Sequence, residues 1–239
     1  MAELPPEEVA KVEAFLVAYN TIDRELRNRL KLGRNISFRS AVDRYASRHP
    51  WWRKEAEALH AFAELRNVVV HERFDSFSYI SVPAAAVIEE IERIQNGLIS
   101  PKLVEQVAMR DVHTVQAEQP LDELLDLVHE HGINQLPVMD GREFLGLITS
   151  KGVLSWLAAG AAERGSVLNL SEVPVRRLLE LEGSRRNCDF VHRKMPVDEA
   201  SFLFARNPQL EALLVTEHGR RDQGLIGIMT QRDATRLFD

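Results

Sequence analysis

The chain is poor in cysteine and in long apolar runs, and each scarcity excludes a class of protein. A single cysteine, Cys188, stands among 239 residues, which leaves no internal disulfide framework and no cysteine-built zinc cluster. No apolar run approaches the ~18–20 residues that a membrane-spanning helix needs, so no membrane partner is expected. The first residues, Met1-Ala2-Glu3-Leu4-Pro5-Pro6-Glu7-Glu8, are acidic and hold no apolar stretch. They do not read as a signal peptide, and a cytoplasmic location is expected. His129 and His131 flank Glu130 without partners at metal-ligand spacing, so no metal is expected. Neither a glycine-rich phosphate loop of the NTPase type nor a nucleophile elbow is visible.

What is present is the composition of a soluble globular protein, 45% hydrophobic and 28% charged, with room for one or two domains. The net charge of −6 is unevenly spread. Residues 24–54 hold ten Lys or Arg against two Asp or Glu. The overall balance argues against a general nucleic-acid binder, but the local excess leaves room for one anionic partner at one place.

Residues 1–98 read as helices. Val9, Val12, Phe15, Leu16, Tyr19, Ile22 and Leu26 recur at three- and four-residue spacing and form one apolar stripe. Pro5 and Pro6 favour a start there, and Gly33-Arg34-Asn35 a stop. Ser37 is placed to cap a second helix ending near His49-Pro50. A third helix runs from Trp51 to about Arg73, residues 74–82 form a connector, and Pro83 opens a fourth helix reaching Ile94. Short links between four helices suggest an antiparallel four-helix bundle. Trp51-Trp52 reads as a core anchor with one ring half exposed.

After Asn96-Gly97 and Pro101 the pattern changes to a duplicated unit. Pro120-Leu121-Asp122-Glu123 recurs as Pro196-Val197-Asp198-Glu199, Leu136-Pro137-Val138 as Leu213-Leu214-Val215, and Gly146-Leu147-Ile148-Thr149 as Gly227-Ile228-Met229-Thr230. Each copy reads as strand, helix, strand, turn, strand, helix, over residues 101–160 and 171–239. A period of this size marks a duplicated domain and not a solenoid. The expected class is therefore α followed by α/β: a helical bundle, then two βαββα repeats. Arg185-Arg186 and Arg220-Arg221 fall in loops, and either meet a bound anion or remain as solvated charge.

On these residues the back half resembles a tandem pair of cystathionine-β-synthase (CBS) domains. The family pattern Gly-x-x-Thr/Ser-x-x-Asp is intact as Gly227-Ile-Met-Thr230-Gln-Arg-Asp233. In the first copy Gly152 stands where the family has Asp. A helix N-terminus with a capping hydroxyl suits a phosphate. The resemblance implies an adenosine nucleotide (AMP, ADP or ATP) as regulatory ligand, with Asp233 on the ribose hydroxyls, and Thr230, Gly227 and Arg232 toward the phosphates. It places adenine near Leu210 and the segment Gln119–Leu124, with Thr149 in a second, degenerate site. Without the resemblance, Thr230 reads as a helix cap and Asp233 as a first-turn acid.

Arg66-Asn67-x-x-x-His71, within residues 7–98, resembles the Arg-x(4–6)-His motif of HEPN domains, small helical domains that are usually dimeric and include metal-independent ribonucleases. The resemblance implies RNA as partner, His71 as general acid or base, Arg66 on the phosphorane charge and Asn67 orienting His71. Asn67 and His71 share a helix face, whereas Arg66 lies about 140° round from His71, so one site would need two bundles facing each other in a homodimer. The rival expectation is non-enzymatic, with the bundle as a dimerisation or partner-docking element.

Overall fold

The computed structural model describes residues 5–71, 73–75, 78–79, 81–164, 169–182 and 186–235, with the backbone alone at 71, 73–75, 78–79, 161–164 and 181–182. It divides into two compact units, Met1–Lys102 and Leu103–Asp239. No helix among the described residues is long and apolar enough to cross a membrane.

The first unit is built on four helices: α1 (Pro6–Leu30), α2 (Phe38–Arg48), α3 (Arg53–His71) and α4 (Ala85–Ile99). α1 starts behind Pro5, with Glu7 and Glu8 in its first turn and Arg27 and Arg29 in its last, each charge set against the matching end of the helix dipole. It stops at Lys31, which adopts a left-handed conformation and returns its N–H to the last turn. Ser37 caps α2 by accepting the Ser40 N–H at 3.2 Å. The apolar stripe of α1 buries Phe15, Tyr19, Ile22 and Leu26 against Leu59 and Phe62 of α3 and Ile91, Ile94 and Leu98 of α4, and Val12 is buried as well. Phe15 meets Phe62 edge-on at 6.1 Å. Arg29 ties the end of α1 to the end of α4 by donating to the Leu98 carbonyl at 2.6 Å.

Three differences from the sequence expectation stand out. Trp51-Trp52 forms a 3₁₀ turn ahead of α3. The connector holds an antiparallel hairpin of β1 (Arg73–Asp75) and β2 (Ser78–Tyr79). α4 runs past Gly97 to Ile99, because Leu98 continues the buried face of Ile91 and Ile94 and tertiary packing outweighs the low helix propensity of glycine. Trp52 is buried edge-on against Tyr45 at 4.7 Å while Trp51 is half-buried.

The second unit holds two repeats. The first is β3 (Val115–Gln116), α5 (Leu121–His131), β4 (Gln135–Asp140), β5 (Glu143–Thr149) and α6 (Ser150–Arg164). A short helix, α7 (Arg176–Glu182), leads into the second: β6 (Cys188–His192), α8 (Val197–Arg206), β7 (Ala212–Thr216), β8 (Gly227–Thr230) and α9 (Gln231–Thr235). In each three-stranded sheet the first strand is parallel to the second and the third is antiparallel to it.

Each repeat is completed by the segment that precedes the other. Residues 104–109 pack on the second repeat: the N–H of Val104 donates to Met195 O at 2.9 Å, and Met109 and Ile228 exchange both backbone bonds at 2.9 Å. Val104 and Ala108 enter that repeat's core beside Phe204, Leu213 and Met229. In return Leu121 N–H donates to Val173 O at 2.8 Å, and Arg176 N–H to Ala117 O at 2.8 Å. Val175 and Leu178 lie in the first repeat's core with Leu121, Leu124 and Ile148. A third cluster, Phe144, Leu147, Ala212, Leu214 and Ile228, is shared by the two sheets. Across it Arg221 donates to Phe144 O at 2.9 Å and lies 5.3 Å from the centroid of the Phe144 ring.

The exchange explains two glycines. A Cβ on Gly227 would stand 3.1 Å from Met109 O and 3.2 Å from the Ala108 Cβ, whereas one on Gly146 would meet only the Leu179 Cδ2 at 2.9 Å, the end of a flexible side chain. Gly227→Ala should therefore cost about 1–3 kcal/mol and Gly146→Ala less, read from urea unfolding midpoints. Equal costs would contradict this packing.

In the helical unit, burial lowers the His49 pKa from the usual 6.5, helped by Arg29 and Arg48, and its Nδ1 is buried without a hydrogen-bond partner among the described residues. The unfolded chain thus takes up the proton first. Stability that is full above pH 6.5 is lost as the pH falls below that value. Thermal unfolding of His49→Phe between pH 7.5 and 5 should lack this component of the slope, and an unchanged slope would sink the assignment.

Candidate functional site

The end of the second repeat's sheet brings several of the expected residues together. Thr230 closes β8, pairs in register with Ala212 of β7, and so stands at the same sheet end as Leu210. The Asp233 carboxylate accepts two bonds on Oδ2, from the Thr230 N–H at 2.8 Å and from its Oγ1 at 2.7 Å. This is one half of a capping box, with the side chain of the third helical residue reaching back to the N–H of the residue that opens the helix. In the first repeat Gly152 supplies no carboxylate, and the Thr149 hydroxyl instead accepts the Gly152 N–H at 3.0 Å. The two repeats therefore differ at the one position the motif singles out.

Next to Leu210 is a pocket of about 470 Å³. Leu203 and Leu210 give it an apolar wall, Cys188 and Asp189 come from the start of β6, Arg206 and Asn207 from the end of α8, and Arg186 from the residues just before β6. Burial pushes the Cys188 thiol up to about 11, so it is protonated and poorly nucleophilic at neutral pH. Asp189 accepts the Phe190 N–H at 2.8 Å through Oδ1.

The remaining expected residues are placed elsewhere. Gly227 faces residues 108–109, which accounts for its missing side chain by packing. Arg232 is exposed on α9. Leu124 is fully buried in the first repeat's core, because α5 turns its apolar face onto the strands. Gln119 uses its amide locally: Oε1 accepts the Gln116 N–H at 2.6 Å and Nε2 donates to Glu123 at 3.2 Å. Of the loop arginines, Arg220 pairs with Asp222, Arg221 clamps Phe144, Arg186 lines the pocket, and Arg185 lies outside the described residues. Cys188, Asp189, Leu203, Arg206 and Asn207 were not anticipated as pocket residues. Only the correspondence of β6 to β3, as parallel partner of the central strand, could have marked Cys188 and Asp189.

On α3, Asn67 is exposed and Arg66 is half-buried. Burial raises the Tyr19 phenol to about 12, and the positive charge of Arg66 is the foremost one opposing that rise. His71 ends α3, and its side chain lies outside the described residues. Of the basic run, Arg27 pairs with Asp23, Arg29 with Glu25, and Arg39 with Glu64. Among the described residues no group of three or more His, Cys, Asp or Glu is placed to hold a metal ion.

Comparison with known proteins bears on the second unit. The CBS domain model matches residues 104–159 and 178–239. An inosine-5'-monophosphate dehydrogenase of Korarchaeum cryptofilum is 30% identical over 143 residues, which are 60% of this chain and 26% of that protein. The chain thus spans about a quarter of the length of that relative. The CBS domain pair of protein MJ0100, solved with 5'-methylthioadenosine and S-adenosyl-L-methionine, is 24% identical with a TM-score of 0.45, over 58% of this chain and 96% of that one. CBSX2, solved with AMP, is 21% identical with a TM-score of 0.39, over 57% of this chain and 95% of that one. Both matched segments lie in the second unit and each holds one of the two sheets. The second unit is a tandem pair of CBS domains.

Proposed function

We propose that this protein is a nucleotide-responsive regulator, in which the second CBS repeat takes an adenosine nucleotide and the helical unit is the output. The observation that carries the reading is the pocket beside Leu210, at the same sheet end as the Thr230–Asp233 pair. Its volume falls within the range of about 300–1,000 Å³ usual for small-molecule sites. The leucine wall suits a base, and Asp233 suits a ribose, whose hydroxyls would compete for the oxygen that now holds Thr230. Glycine at 152 supports one competent site instead of two.

For the output, the HEPN-like reading gives RNA binding or metal-independent cleavage by Arg66, Asn67 and His71 across a homodimer. Asn67, exposed on α3, supports it. The ion pairs of Arg27, Arg29 and Arg39 with Asp23, Glu25 and Glu64, which neutralise part of the basic run, favour the second reading, a docking or dimerisation element without chemistry. Either output requires a nucleotide that binds two states of the protein unequally.

Calorimetry with AMP, ADP and ATP tests the sensor. Binding is expected, and Asp233→Ala should weaken it about tenfold, the worth of a charged hydrogen bond. Undiminished binding by the variant would show the site to be misplaced. Total RNA incubated in chelator with wild type and His71→Ala separates the outputs. Cleavage by wild type alone supports the nuclease, and inert protein leaves the docking reading. Cys188 gives a third readout. Its alkylation should be slow at pH 7.5, accelerate as the pH rises toward about 11, and slow further with saturating nucleotide. Nucleotide-independent alkylation would place the ligand outside this pocket.

A further inference from the structure

We infer that the pocket of the second repeat selects ligands by their phosphate charge, taking a nucleoside polyphosphate in preference to an uncharged or sulfonium-bearing adenosyl compound. The inference rests on the adenosine reading above and narrows it to a chemical class.

Two guanidiniums, Arg186 and Arg206, lie on the wall of the pocket. They arrive from different elements, one from the segment before β6 and the other from the last residue of α8. Both are exposed, and neither makes an ion pair among the described residues. Most arginines described elsewhere in the second unit are engaged. Arg176 and Arg193 pair with Glu118 and Glu105, Arg177 with Glu180, and Arg220 with Asp222, while Arg221 is spent on backbone carbonyls.

A guanidinium presents a planar fork of donors that matches two phosphate oxygens and keeps its charge at any physiological pH. Two of them facing one cavity, against the single carboxylate of Asp189, leave a net positive wall. Asp189 already holds the Phe190 N–H, which orients it along the backbone. A phosphate chain would neutralise that wall. A sulfonium would add a third positive charge to it, and a bare nucleoside would gain nothing from either guanidinium. The apolar wall of Leu203 and Leu210 is indifferent to this choice, since all these ligands carry the same base.

The test is calorimetry of the full chain at fixed ionic strength with adenosine, AMP, ATP and S-adenosylmethionine. Each of wild type, Arg186→Ala/Arg206→Ala and Arg186→Lys/Arg206→Lys is measured, with thermal melting to show that every variant is folded. Affinity should rise from adenosine through AMP to ATP, with S-adenosylmethionine at least tenfold weaker than ATP. The alanine pair should erase the advantage of ATP over adenosine, leave adenosine unchanged, and flatten the salt dependence. The lysine pair should retain part of that advantage. If S-adenosylmethionine or adenosine binds wild type as tightly as ATP, or if ATP affinity survives the alanine pair, charge selection is wrong while the adenosine reading stands. If no adenosyl compound binds wild type, both fall.

Discussion

Everything in the second unit depends on the exchange of lead-in segments between its repeats. A unit of about 60 residues buries only about 60% of the surface that its unfolded chain exposes, and is marginal alone. Here each repeat lends its partner a short segment, and the loan runs both ways. Val104 and Ala108 go one way and Val175 and Leu178 the other. Both crossings are fixed by backbone hydrogen bonds, so their register is set as firmly as that of a strand pair. The cluster around Phe144 and Leu214 then seals the two sheets together.

This constraint also positions the site. β8 is held on one side by β7 and at Gly227 by residues 108–109, which fixes where Thr230 and α9 begin. Thr230 pairs with Ala212, two residues after Leu210, so the cap and the pocket wall sit at one end of one sheet. The glycine of the motif is explained by this close approach of chain to chain. The threonine and aspartate are joined directly to each other. The motif is thus a structural device, and a ligand would use it by replacing bonds the protein already makes with itself.

Much of this was legible in the sequence because it is local or periodic. The α1 stripe, the Ser37 cap and the doubled strand–helix–strand–strand order all follow from spacing, side-chain chemistry or self-similarity. What was hidden is what depends on distant partners. Gly97 reads as a helix end, yet α4 continues because Leu98 has a core to enter. Leu124 reads as a pocket residue and is buried core, since the face of α5 is chosen by the strands beneath it. Residues 104–109 and 173–178 carry no signal that they will cross over. Arg206 and Arg186, far apart in sequence, become neighbours only when α8 and β6 flank one cavity.

Native-state hydrogen exchange over a series of low denaturant concentrations measures the exchange of segments most directly. The amides to follow are Met109 and Ile228 at one crossing, and Leu121 and Arg176 at the other. If the repeats complete each other, all four open in one cooperative step with the same free energy and the same denaturant dependence. Distinct opening energies at the two crossings, with one repeat unfolding while the other keeps its protection, would contradict the mutual dependence of the repeats.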